Sequence, residues 1–231
     1  MKTQRSLIKL PSLAFFGAAL LALCPIYTRA NTIALDFTGH SGTFAAAGFT
    51  EGWSFTLNSA VLVTDLGVWD GSRFGPPGNG LAKSIPVTIW NMTTMTALAF
   101  RVVPSGTAGT LVNDFRYVSL NNPVPLGPGS YVIGAYYPRG DTVGDYDIVA
   151  EMASGITTAP ELTFGRSRQG GGHAFPAVEF GDPNGNFGPN FQFTDLPNGV
   201  PDAGSSWMLL GIGLAGVFAT QLLQRHRVFQ N

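Results

Sequence analysis

Trp53-Ser54-Phe55-Thr56-Leu57 decides the fold class. Apolar and polar residues alternate with period two, so an extended backbone puts Trp53, Phe55 and Leu57 on one face and Ser54 and Thr56 on the other. The chain continues as Ala60 to Trp69, apolar on both faces, which reads as a central strand. Ile85, Val87 and Ile89 then alternate with Pro86, Thr88 and Trp90. Pro86 has no N–H to give to a ladder and is expected at a strand start or an edge. Working outward, further strands are expected at residues 33–37, 98–103, 115–120, 131–137, 147–152, 162–164 and 191–194. Turn-forming stretches separate them, such as Phe74-Gly75-Pro76-Pro77-Gly78-Asn79-Gly80 and Leu126-Gly127-Pro128-Gly129. Between Asn31 and Gly199 no window of roughly 10–15 residues holds a 3.6-residue period, so helices should be rare there. About ten short strands suit an all-β fold of two sheets packed face to face, a jelly-roll-like sandwich, with barrel closure as the lesser alternative.

Both ends of the chain read differently. Lys2, Arg5 and Lys9 form a basic start, Leu13 to Cys24 is an apolar stretch, and Thr28-Arg29-Ala30 ends in a small residue. That is the layout of a signal peptide spanning residues 1–30, with cleavage after Ala30 and a mature chain beginning at Asn31. A lipoprotein box at Leu21-Ala22-Leu23-Cys24 is the rival, but Leu23 is too large for the position before an acylated cysteine. Cys24 is the chain's one cysteine. The preferred cut therefore leaves a mature protein with neither a disulfide framework nor a thiol nucleophile.

At the other end, Val200-Pro201-Asp202-Ala203-Gly204-Ser205-Ser206 leads into an apolar stretch from Trp207 to Leu223, closed by Arg225-His226-Arg227. As a helix those 17 residues measure about 26 Å, just short of a hydrocarbon core of about 30 Å. Thr220 and Gln221 thin the span further, and Arg225 and Arg227 hold its end in the cytoplasm. The three-part tail resembles the PEP-CTERM class of sorting signal, which membrane transpeptidase-like exosortases handle in Gram-negative bacteria. Val200-Pro201-Asp202-Ala203-Gly204 is similar to the Val-Pro-Asp-Ser-Gly variant, with Ala203 where serine is usual. The resemblance implies cleavage near the motif, transient anchoring in the inner membrane, and delivery to the cell surface or an exopolysaccharide matrix. An ordinary uncut C-terminal anchor is the alternative.

Residues 31–199 remain, a natural size for one domain. Six of the chain's 13 basic residues (Lys2, Arg5, Lys9, Arg29, Arg225, Arg227) and one of its 14 acids (Asp202) lie outside them. Seven bases against thirteen acids give the domain a net charge of −6, so binding to a phosphate backbone is not expected. Aromatic and β-branched clusters between the glycines argue for a folded β domain rather than a linker.

A second resemblance covers about Phe49 to Thr194. Gly52-Trp53-Ser54-Phe55, Leu66-Gly67-Val68-Trp69-Asp70, Phe115-Arg116-Tyr117-Val118, Leu126-Gly127-Pro128-Gly129-Ser130-Tyr131 and Phe187-Gly188-Pro189-Asn190-Phe191 occur in that order. The set resembles an uncharacterised β-sandwich family carried by proteins with this kind of tail. It implies fold and location, and no activity.

No catalytic residue is assigned. Gly165-Arg166-Ser167-Arg168-Gln169 fails the last position of a nucleophile elbow, and Gly80-Leu81-Ala82-Lys83-Ser84 has its lysine misplaced for a phosphate loop. His40 and His173 lack zinc-ligand spacing. A glycosidase would need two carboxylates about 5–9.5 Å apart, which sequence cannot place. Calcium is the one cofactor considered. Asp141, Asp145 and Asp147 supply hard oxygen ligands in the loop Gly140 to Asp147, and Asp182-Pro183-Asn184-Gly185-Asn186 begins like an EF-hand loop without its later glycine and glutamate. Polar turn chemistry, with Asp and Asn bonding to nearby backbone amides, is the alternative for both loops. Extracellular polysaccharide is the remaining partner. Arg73-Phe74, Tyr136-Tyr137-Pro138-Arg139 and Phe175 to Phe180 are the segments that could present rings to it, although rings in β domains mostly pack inward.

Overall fold

The computed structural model describes residues 30–71, 76–140, 147–179 and 185–196. Among them the secondary structure is all β, with no helix. The strands are β1 (Thr32–Ile33), β2 (Leu35–Asp36), β3 (Gly39–Ala45), β4 (Phe49–Leu57), β5 (Val61–Trp69), β6 (Ile85–Asn91), β7 (Ala97–Val103), β8 (Thr110–Val112), β9 (Phe115–Leu126), β10 (Gly129–Tyr137), β11 (Ile148–Ser154), β12 (Thr157–Thr158), β13 (Leu162–Gly171), β14 (Val178–Glu179) and β15 (Pro189–Asp195). They form a five-stranded sheet, β1-β15-β5-β9-β8, a six-stranded sheet, β14-β13-β4-β10-β6-β7, and two pairs, β11-β3 and β12-β2. Every ladder is antiparallel.

The main core draws on one face of each large sheet, the arrangement expected of a sandwich. Trp53, Phe55 and Leu57 of β4, Ile85, Val87 and Ile89 of β6, and Tyr131, Ile133, Ala135 and Tyr137 of β10 meet Val61, Val63, Leu66 and Val68 of β5 and Phe191 and Phe193 of β15. The period-two pattern of Trp53 to Leu57 is therefore the buried face of a central strand. The Trp53 ring stacks on Phe191 from the opposite sheet, with centroids 6.2 Å apart and planes at 21°. Its Nε1–H donates to the Pro189 carbonyl at 2.8 Å, so the one polar atom of the indole is satisfied across the sheets.

Strand β5 carries the irregularity that matters most. Val61 and Val63 face the core, and so do Leu66 and Val68, so the alternation slips by one residue between them. Both neighbours, β9 and β15, break register at this point. The bulge turns Asp65 to the outer face, where strict alternation would have buried it beside Val63. The same outer face carries Trp69, Phe115 and Tyr117, which pack with Ile148 and Ala150 of β11 into a second, smaller core. Pro86, the second residue of β6, precedes the first β6–β10 pair, Val87 with Ala135, so its missing N–H leaves no gap in that ladder.

Where β5 ends and β9 begins, a buried ion pair ties the loops together. Arg116 donates through Nε to Asp70, through Nη1 to the carbonyls of Thr107 (3.2 Å) and Gly109 (3.0 Å), and through Nη2 to that of Gly78 (2.7 Å). The Asp70 carboxylate also accepts the Gly80 N–H.

Strands β8 and β9 are joined by Asn113 and Asp114, at φ 49° and 61°. Two residues with positive φ make the mirror-image turn that suits the twist of a hairpin, and glycine is the residue most at ease at its second position. Asp114→Gly is therefore expected to stabilise the domain by about 0.5 kcal/mol and raise Tm by roughly 1–2 °C, read by thermal melting. An unchanged or lower Tm would show that the Asp114 side chain supports the turn.

Candidate functional site

Of the three aspartates expected to hold calcium, Asp141 and Asp145 lie outside the described residues. Asp147 sits just before β11 and is nearly buried. Its Oδ1 accepts the Ala82 N–H at 2.8 Å and its Oδ2 the Lys83 N–H at 3.0 Å. Both oxygens thus fasten the loop before β6, a contact between distant parts of the chain rather than a local turn. Of the second loop, Asp182, Pro183 and Asn184 fall outside the described residues. Asn186 accepts the Met152 N–H through Oδ1 at 3.0 Å and donates its own N–H to Ser167 Oγ at 2.5 Å. Among the described residues no group of three or more His, Cys, Asp or Glu side chains is placed to hold a metal ion.

Two of the three segments expected to present rings come together on the outer face of the six-stranded sheet. After β13 the chain folds back over that face as a strap. The Thr50 hydroxyl donates to the Gly172 carbonyl (2.6 Å) and accepts the Ala174 N–H (3.3 Å). Buried Arg168 reaches the Pro176 and Ala177 carbonyls through Nη1 (3.5 and 3.4 Å) and Glu179 through Nη2. Gly134 makes room for the strap, because a Cβ there would lie 2.8 Å from Thr50 and 3.3 Å from Pro176. The strap lays His173 on Tyr136, centroids 5.4 Å apart and planes at 20°, and sets Phe175 edge-on to Trp90 at 6.0 Å.

A third ring, Phe100 of β7, lies 6.1 Å from His173 and is 54% exposed. Leu98 and Val102 flank it on the same face, also exposed. His173 occupies a face of Tyr136, so the open ring surface is chiefly that of Phe100. Sequence reading missed Phe100 because a strand's buried and exposed faces look alike when both are apolar. Arg73, Phe74 and Phe180 lie outside the described residues.

Two buried acids, Glu51 and Asp147, bear on the core residue Tyr137. Glu51 is only 3% exposed and accepts the Gln169 amide at 2.5 Å. Burial raises its pKa to about 7, against a smaller lowering by Gln169. Glu51 and Asp147 both act on the Tyr137 phenol, whose pKa burial and then these two charges push upward. The Tyr137 hydroxyl has no hydrogen-bond partner. Glu51 escaped notice in the sequence, although it shares the parity of Trp53, Phe55 and Leu57 and so had to face inward.

Ala30 is described and immediately precedes the domain. The sorting-tail residues Val200, Pro201, Asp202, Ala203 and Gly204 and the membrane-stop residues Arg225 and Arg227 lie outside the described residues. No protein-family model matches this chain, and no curated protein matches it.

Proposed function

We propose that the protein is an exported, non-catalytic component of the cell surface or extracellular matrix, with a structural or adhesive role. In this reading a jelly-roll-like sandwich, built on the ten strands of seven or more residues among the fifteen described, stands between a signal helix and one C-terminal transmembrane helix. The observation that carries it is the tail: a short polar motif at Val200 to Gly204, a marginal membrane span at Trp207 to Leu223, and a basic stop at Arg225 and Arg227. The described strands begin at Thr32 and end at Asp195, so cuts after Ala30 and near Val200 to Gly204 would remove no strand. The partner at maturation is an exosortase-like membrane transpeptidase.

A second reading, a carbohydrate-binding module, rests on the exposed Phe100 beside the His173–Tyr136 stack. Its ligand would be an extracellular polysaccharide, since an acidic domain disfavours nucleic acid.

Intact mass and the C-terminal peptide of protein recovered from the native envelope and medium test the first reading. The expected result is loss of everything after the Val200–Gly204 region. Protein that keeps Trp207 to Asn231 in the membrane fraction would overturn it. Binding of the recovered protein to extracted matrix polysaccharide, weakened at least fivefold by Phe100→Ala, is the result expected of the second reading. Affinity unchanged by that substitution would remove its site.

A further inference from the structure

The bulge in β5 serves a purpose that core packing does not explain. It delivers Asp65 to the outer face of the five-stranded sheet, yet the residue is only 7% exposed there. Its Oδ1 accepts the Ser119 hydroxyl at 2.6 Å and its Oδ2 accepts the Asn31 amide at 2.7 Å. Asn31 leans on Gln192 of β15 as well, at 3.4 Å. Next along the face, the Tyr117 ring covers Gly67, where a Cβ would lie 2.4 Å from the ring. The Tyr117 hydroxyl is without a partner although the residue is 3% exposed. It lies in the field of two carboxylates, Asp36 and Asp65, which with burial raise its pKa. Asp36 is held by the Asn113 amide at 2.7 Å.

The ionisable groups around this spot are therefore Asp65 on β5, Asp36 on β2 and Tyr117 on β9. The remaining partners, Asn31, Asn113, Ser119 and Gln192, are neutral. Among the described residues neither carboxylate forms an ion pair. A nearly buried carboxylate whose donors are all neutral, on a face that also carries an unsatisfied phenol oxygen, is a place where a cation would be stabilising.

We propose that Asp65 is the receptor for the terminal ammonium group that removal of the signal peptide creates on Asn31, so that processing itself supplies the missing charge. This rests on the reading that the leader is cut after Ala30. Before the cut, the Asn31 nitrogen is a neutral amide and can bring no charge to Asp65. After it, the same nitrogen is an ammonium on a residue whose side chain already touches Asp65. Within one asparagine the α-nitrogen and Nδ2 are at most about 5 Å apart, and Asn31 is exposed and precedes β1, so a turn about its own Cα–C bond can exchange the ammonium for the side-chain amide at the carboxylate. The ammonium carries three donors and a full charge for the Asp65 carboxylate, where the amide brings neither the charge nor the third donor. Such a link fastens β1 to β15 and β5 at the point where the folded domain begins.

The test uses exported protein recovered from the cell. Its N-terminus is identified by mass, and acetylation of the α-amine is followed against pH in wild type and Asp65→Asn, with Lys83 as the reference amine. With Asn31 at the terminus, the wild-type α-amine should titrate above the ordinary value of about 8 and react roughly three- to tenfold more slowly at pH 7.5 than in Asp65→Asn. Acetylated wild type should also melt below the unmodified protein. Equal reactivity in the two proteins, with Asn31 confirmed as the first residue, would overturn the proposal and leave the leader reading intact. A different first residue would overturn the leader reading and the proposal with it. Should Asp65→Asn fail to accumulate, the melting comparison on wild type decides, and an acetylated protein that melts no lower overturns the proposal.

Discussion

Arg116→Met is expected to destabilise the domain by about 3–5 kcal/mol, the cost of leaving one member of a buried ion pair without its partner. For a domain of this size that lowers Tm by roughly 10 °C or more. The size of the effect follows from what Arg116 holds. Its guanidinium satisfies the Asp70 carboxylate and the carbonyls of Gly78, Thr107 and Gly109, so one substitution orphans acceptors on three separate stretches of chain. Methionine fills much of the volume and supplies none of the donors, which separates lost polar contacts from lost packing. Asp70→Asn should cost less than Arg116→Met, because the amide oxygen still accepts from Arg116 and from the Gly80 N–H. Combining the two changes should cost clearly less than their sum, the sign of a direct coupling. Because both groups are buried, raising the salt concentration should leave the loss nearly unchanged, unlike a surface pair. Denaturant unfolding of the four proteins reads all of this. A loss below about 1 kcal/mol for Arg116→Met would show that water replaces the guanidinium and that the loops do not depend on it.

The parts of this fold that sequence made legible are those where a single face is buried. Trp53, Phe55 and Leu57 mark β4 because their neighbours are polar, and the apolar run from Val61 to Trp69 marks β5 because both of its faces are covered. Strand β3, Gly39 to Ala45, was invisible: glycine, histidine, serine and alanine carry little β preference, and the strand is held by its ladder to β11. Strand β13 runs on to Gly171, far beyond the expected 162–164, because its later residues Arg166, Arg168 and Gln169 are polar. Arg168 is nonetheless buried by the strap above it, which no local pattern announces. The candidate sites divide the same way. Tyr136 and Phe175 were visible in ring-bearing segments and His173 was not, and their adjacency depends on a loop folding back across the sheet. Asp65 follows Thr64 in an otherwise apolar strand. Only the paired breaks in register show why it faces outward.

Glu51→Gln is expected to stabilise the protein at pH 8 by about 2–3 kcal/mol while changing little at pH 4.5, so the gain itself is a function of pH. Glu51 has a pKa of about 7 in the folded protein, against 4.5 for the free side chain, with burial as the main cause. Between those values the folded state binds more protons at this position than the unfolded state does. Stability from Glu51 is therefore fully present below pH 4.5, falls as pH rises, and is lost once pH passes about 7. Glutamine removes the titration, keeps an oxygen for the Gln169 amide, and brings a new N–H toward a region where the Tyr137 hydroxyl has no partner. Other carboxylates tilt the stability curve in their own directions, so the informative quantity is the difference between variant and wild type. Unfolding in denaturant at half-unit steps from pH 4.5 to 8 should show that difference opening steadily and levelling above pH 7. A difference that stays constant across the range would mean that Glu51 ionises as freely in the folded protein as in the unfolded one. Water would then have to reach its carboxylate, and the closed end of the core beside Tyr137 would have to be open.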